Sequence, residues 1–143
     1  MTVVVKRVYR KPARNDGTRV LVDRLWPRGL TKHEAAVDAW LRNLAPSNEL
    51  RKWYHSQPEQ WEEFRRRYLK ELQHPAARTA LERLYKLAGT GKITLLFASK
   101  NEDRNNAVVL RDLLGGARKP PTGTGPAAAG AFRERRAARA PRR

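Results

Sequence analysis

Two kinds of apolar pattern alternate along the chain. Residues 3–9 (VVVKRVY) are short and rich in β-branched side chains, and predict a strand. Asn15, Asp16 and Gly17 then supply turn chemistry. Residues 19–25 predict a second strand around the buried run Val20, Leu21 and Val22, stopped by Pro27 and Gly29. From residue 31 the period changes. Thr31 with Glu34 forms a capping box, and Val37, Trp40, Leu41 and Leu44 follow at helical spacing, so a helix is predicted through this stretch. Ser47 caps a short turn through Glu49, Leu50 and Trp53, and Ser56 with Glu59 predicts a further capping box. Trp61, Phe64, Tyr68 and Leu72 line one face of the next helix, which His74-Pro75 ends or bends. Ala77, Leu81, Leu84 and Ala88 give another helical face, closed by Gly89 as C-cap and Gly91. Residues 93–98 (ITLLFA) are apolar without alternation, the mark of a strand covered on both faces. A last helix is predicted over 107–114, with Ala107, Leu110 and Leu114 inward.

Strand, strand, helical block, strand, helix predicts a small single α/β domain, helices packed around a mostly parallel sheet. The turn at Asn15-Asp16-Gly17 leaves open an alternative in which the first two strands pair as a hairpin. The domain is expected over residues 1–116. Residues 117–143 are rich in Pro, Gly, Ala and Arg, with Phe132 the only large apolar residue, and are expected to be a disordered basic tail.

Composition narrows the chemistry. The chain has 143 residues and no cysteine, which removes disulfides, thiolate catalysis and Cys-based metal sites. His33, His55 and His74 are too scattered for a local metal pair, and no metal site is expected. No apolar run approaches a membrane span and the N-terminus turns basic early, so a cytoplasmic protein without membrane association is expected. The net charge is +17, with eight bases and one acid in residues 118–143. The body is therefore basic in its own right, which favours anionic partners through steering.

Two polar clusters follow strands, where ligands bind in open α/β sheets. The first is DGTRVLVDRLWPRG. Here Arg24 and Arg28 offer forked donors to phosphate or carboxylate, Trp26 a flat face for stacking, and Asp23 a group to orient an arginine or act as general base. The second is SKNEDRNN. Lys100 and Arg104 add charge where a helix begins, Asn105 and Asn106 could read polar groups, and Asn101 is a good N-cap. A third stretch, residues 47–55, sets Arg51 and His55 four apart. Arg65, Arg66 and Arg67 read as the solvated face of their helix. No GxGxxG or Walker pattern occurs, and no cofactor is indicated.

The block from Asp16 to Tyr68 together with TLLFASKNEDRNNAVVL resembles the YeaO-like branch of the domain-of-unknown-function 488 family, over residues 3–116. The resemblance implies a small bacterial cytoplasmic α/β domain. The broader family pattern has a strand-end Asp-Val-Arg followed by Pro, and a later strand ending Cys-x-Glu before Cys-His-Arg. Asp23 and Arg24 match the first element approximately. Phe97 and Ser99 stand at the Cys and Glu, and Asn105 and Asn106 near the Cys-His-Arg. Chemistry that needs that thiol or imidazole therefore does not carry over. The functional expectation is a small anionic ligand, nucleotide- or phosphate-like, in a strand-end cleft. The alternative is nonspecific nucleic-acid binding through the basic body and tail.

Overall fold

The computed structural model describes residues 2–116, 127–131 and 133–134. Two compact units are formed, Thr2–Val109 and a second from Leu110 onward. In the first, β1 (Val3–Arg7), β2 (Thr18–Leu21), β3 (Ala39–Trp40) and β4 (Ile93–Phe97) make one sheet in the order β1-β4-β2-β3. Every pairing in it is parallel. The helices are α1 (Lys32–Ala35), α2 (Asn48–Ser56), α3 (Trp61–Glu71), α4 (Pro75–Gly89) and α5 (Asn106–Gly116), the last starting in the first unit and ending in the second. In the second unit, two strands of the span expected to be disordered, β5 (Ala127–Ala131) and β6 (Arg133–Glu134), pair antiparallel. The rest of that span, from residue 117, lies outside the described residues.

β4 is the central strand. Leu95 stands beside Val5 on one side and Val20 on the other, and all five β4 residues are buried. This is what an unbroken apolar run wants. Its one polar side chain, Thr94, is satisfied by donating to the Asp16 carbonyl at 2.6 Å. The hairpin alternative is not formed, because β1 and β2 both pair with β4 and not with each other. β2 is shorter than the expected 19–25. Val22 N still donates to Leu96 O, after which the chain turns away.

The helix expected from Thr31 to Leu44 is the main correction. The Thr31–Glu34 capping box is present, but α1 stops after one turn and Ala36 takes a left-handed φ of 49°. The buried Arg19 guanidinium donates to the Ala35 and Ala36 carbonyls, ending the helix. Asp38 N then donates to Arg19 O and Leu41 N to Leu21 O, so the chain joins the sheet as β3. Leu41 and Leu44 are buried as expected, through a strand and a 3₁₀ turn in place of a helical face. Tertiary hydrogen bonds and the strand preference of Trp40 outweigh the helical spacing.

Two smaller corrections concern caps. Ser56 closes α2 by donating to Trp53 O, so the Ser56–Glu59 box does not form, and α3 starts after Gln60. α4 runs through Gly89, and the C-cap is Thr90, whose hydroxyl and amide both donate to Leu87 O. The Ser47 cap and the stripe through Phe64, Tyr68 and Leu72 are as expected. Among the described residues no helix is long and apolar enough to cross a membrane.

Candidate functional site

Parallel strands align their carboxyl ends, so the segments after β1, β2 and β4 meet. They meet at Ala98. Its amide donates to Asp23 Oδ2 at 2.8 Å, and its carbonyl accepts from Arg7 Nε at 3.2 Å. Asp23 Oδ1 accepts from Asn106 Nδ2 at 3.1 Å, and the same amide donates to Val22 O at 3.0 Å. The ends of β2 and β4 and the start of α5 are thereby tied together. The two polar clusters read from the sequence are adjacent.

Each expected site residue has a definite place. Burial pushes the Asp23 carboxyl up from its ordinary value, against the Ala98 amide, Asn106 and the nearby Arg51 charge, which favour the ionised form. Arg24 clamps the loop before α2, donating to Ala45 O at 3.1 Å and Pro46 O at 3.4 Å. Trp26 donates to Leu30 O at 2.7 Å and meets Trp40 edge-on with centroids 5.4 Å apart. It packs on Val8, Leu21, Ala35 and Leu96, so part of its stacking surface is spent on the core. Asn105 is buried and caps α5, accepting from Val108 N and donating to Asn101 O. Asn101, expected as the N-cap, instead accepts from Asp103 N and Arg104 N in the preceding turn. Arg104 is exposed, and its carbonyl accepts from Tyr54 OH. Arg28 and Lys100 are exposed, and neither cationic group has a hydrogen-bond partner among the described residues. Of the expected residues, then, Asp23, Arg24, Trp26, Asn105 and Asn106 build the frame. Arg28, Lys100 and Arg104 present charge from it.

Sequence reading missed Arg7, Tyr9 and Arg10. Arg7 Nε also donates to Ser99 O at 3.1 Å, and its guanidinium carbon lies 4.9 Å from the centre of the Tyr9 ring. Tyr9 OH donates to Arg28 O at 2.8 Å. The rule that drew attention to the end of β2 applies equally to β1, where Arg7-Val8-Tyr9-Arg10 is the available signal. Arg51 was noted only for its spacing to His55. Its role at Asp23 depends on where α2 is placed.

Two grooves are lined mainly by the helical block, and of the strand-end frame only Arg24 reaches one of them. One, of about 540 Å³, is lined by Ser47, Trp53, Arg66, Arg67, Lys70 and His74 among others. The other, of about 250 Å³, is lined by Arg24, Tyr68 and Glu71 among others. At the N-terminus of α2, the Glu71 carboxylate already takes the Ser47 amide at 2.8 Å and its hydroxyl at 2.6 Å. An internal anion thus fills the place a ligand would want. Arg66 and Arg67 are likewise paired with Glu63, and Arg67 covers Trp53 at 4.3 Å. Among the described residues no group of three or more metal-ligating side chains is gathered.

A parallel α/β sheet with a polar strand-end frame and no thiol defines the class to which comparison points. Residues 2–128 match the family described as the inactive DUF488-N3 subclade, and the chain belongs to this DUF488 family, in its YeaO-like group. The chain is 46% identical over 114 residues to the uncharacterized protein Rv3073c of Mycobacterium tuberculosis, covering 80% of this chain and 94% of that protein. It is 44% identical over 115 residues to the uncharacterized protein YeaO of Escherichia coli, covering 80% and 97%. No solved structure matches the chain.

Asp23 yields a pH prediction. Its carboxyl is raised in the folded state, so the folded protein holds a proton the unfolded chain has released. Stability should therefore fall as pH rises from the ordinary carboxylate range through Asp23's raised value, and level off above it. Asp23→Asn should remove that contribution, seen as the difference between urea-unfolding free energies of the two proteins across pH. An unchanged difference would contradict the assigned burial.

Proposed function

We propose that the domain binds a small phosphate-bearing anion at the strand-end rim around Ala98, and binds without turning it over. The observation that carries the reading is that Arg7 is pinned to the Ala98 and Ser99 carbonyls while the Arg28 backbone is held by Tyr9 and Lys100 follows Ser99, with the Arg28 and Lys100 cations exposed and without hydrogen-bond partners among the described residues. Forked guanidinium donors suit phosphate oxygens. Asp23 enters as the group that fixes the strand end, since both its oxygens accept from Ala98 and Asn106. The absence of cysteine, the family's description as an inactive subclade, and the Asn residues near the relatives' Cys-His-Arg favour binding over catalysis.

Thermal unfolding with inorganic pyrophosphate and with nucleoside diphosphates tests this. At a hundredfold excess over Kd the ligand should add about 2.7 kcal/mol of stability. Arg28→Ala should remove most of that gain and leave the ligand-free melting temperature unchanged. No ligand-dependent shift with any phosphate compound would refute the reading. A second reading, nonspecific nucleic-acid binding, rests on the net charge of +17 and the bases of residues 118–143. It calls for affinity that falls steeply with salt and survives Arg28→Ala.

A further inference from the structure

We propose that the Glu102 carboxylate is a built-in stand-in for the bound anion, seated on Arg10 just past the end of β1, near Arg7, in the free domain and displaced when a phosphate group binds. The inference rests on the anion-binding reading above, and adds which residues hold the anion and what competes with it.

Glu102 makes a two-pronged contact with Arg10, Nε to Oε1 at 3.1 Å and Nη2 to Oε2 at 2.7 Å. That fork is the geometry in which a guanidinium takes two oxygens of a phosphate. Arg7 completes the seat. Its Nε is held by the Ala98 and Ser99 carbonyls, its guanidinium carbon lies over the Tyr9 ring, and the Tyr9 hydroxyl is held by the Arg28 carbonyl. The terminal amino groups of Arg7 have no hydrogen-bond partner among the described residues, and its charge acts on Glu102. A backbone bond from Arg10 N to Arg7 O keeps the two arginines in one turn. Arg10 alone holds the carboxylate by contact, and the Arg7 charge acts on it from beyond ion-pair distance.

The stand-in is easily displaced. Side-chain exposure is 60% for Arg10 and 43% for Glu102, so the pair is an exposed one of the kind that adds little to stability. Glu102 sits in the irregular stretch between β4 and α5. The local bonds of that stretch, Asn101 N to Ser99 Oγ and Asp103 N to Asn101 Oδ1, do not involve its side chain. A phosphate dianion brings more charge and three acceptor oxygens, and should win the arginines from a single carboxylate. A weaker monoanion should not. Glu102 would therefore set a threshold that reserves the seat for multiply charged ligands.

Isothermal calorimetry with inorganic pyrophosphate on the full chain tests this, comparing the unaltered protein with Glu102→Gln and Arg7→Gln. Glu102→Gln should bind about tenfold more tightly, since a competing charge leaves the seat. Arg7→Gln should bind at least about tenfold more weakly. Urea midpoints of both variants, measured alongside, report whether each still folds. Binding by the unaltered protein and Glu102→Gln with equal affinity would overturn the stand-in and leave the anion-binding reading intact. Weaker binding by a folded Glu102→Gln would also overturn it, making Glu102 a supporting residue. No binding by either would overturn both. Binding by Glu102→Gln alone would overturn both as well, since in the unaltered protein the carboxylate would then not yield to a phosphate group.

Discussion

Arg19→Met should lower stability by about 3–5 kcal/mol, the range for breaking a buried ion pair by removing one partner. Arg19 is 4% exposed and Asp16 6%. Arg19 Nη1 lies 2.5 Å from Asp16 Oδ2, Nη2 donates to Ala35 O at 2.8 Å, and Nε to Ala36 O at 3.0 Å. One side chain thus neutralises a buried carboxylate and ends α1. Burial pushes the Asp16 carboxyl up, but the Ala13 amide, Lys6 and Arg19 together outweigh it and hold the group below its ordinary value. Methionine would fill much of the space and leave the Ala35 and Ala36 carbonyls without donors. It would also leave Asp16 with Lys6 as its remaining cation. Arg19→Lys should recover little, because an ammonium cannot reach three acceptors in a fixed fork. Urea denaturation at neutral pH checks this. A loss under about 1 kcal/mol would mean that the cluster relaxes with ease.

Gly17→Ala should cost about 3 kcal/mol or more, from two independent sources. Gly17 has φ of +68°, and a Cβ there would sit 2.2 Å from the Lys92 carbonyl oxygen and 2.9 Å from its carbon. That carbonyl cannot give way without loss. It accepts from Thr18 N at 3.0 Å and leads directly into β4. Gly29 separates the two terms. Its φ is +85°, yet nothing lies within 4 Å of an added Cβ. Gly29→Ala should therefore cost about 1 kcal/mol, the conformational part alone. Equal losses at both positions in the same urea series would contradict the steric account.

Both residues mark where the sequence was legible and where it was not. The ITLLF run names a central strand, because only a strand covered on both faces is apolar throughout. Asp16-Gly17 names a turn. Neither tells that Asp16 is buried under Arg19, since a short polar string before a strand reads as solvent-facing until the neighbouring elements are placed. The same holds for residues 36–44. Their apolar positions are inside, but the periodicity that suggested one helix is shared by a left-handed residue, a two-residue strand and a 3₁₀ turn. At the site, Asp23 and Asn106 were legible because each stands next to a strand end or a helix start. The pairing of Arg10 with Glu102 was not. The two residues are far apart in sequence, and the order β1-β4-β2 brings the end of β1 against the segment after β4. Sheet order is a long-range property that local spacing does not encode.

The central claim is that the rim around Ala98 holds the anion and the grooves of α2–α4 do not. Titrating the full chain with pyrophosphate while following backbone amide shifts by heteronuclear NMR tests it most directly. The account expects saturable shifts at Arg7, Arg10, Arg28, Ser99, Lys100 and Glu102, with the amides of Trp53, Lys70 and Glu71 unmoved. Shifts centred on Trp53, Lys70 and Glu71, or no saturable shifts at all, would contradict it.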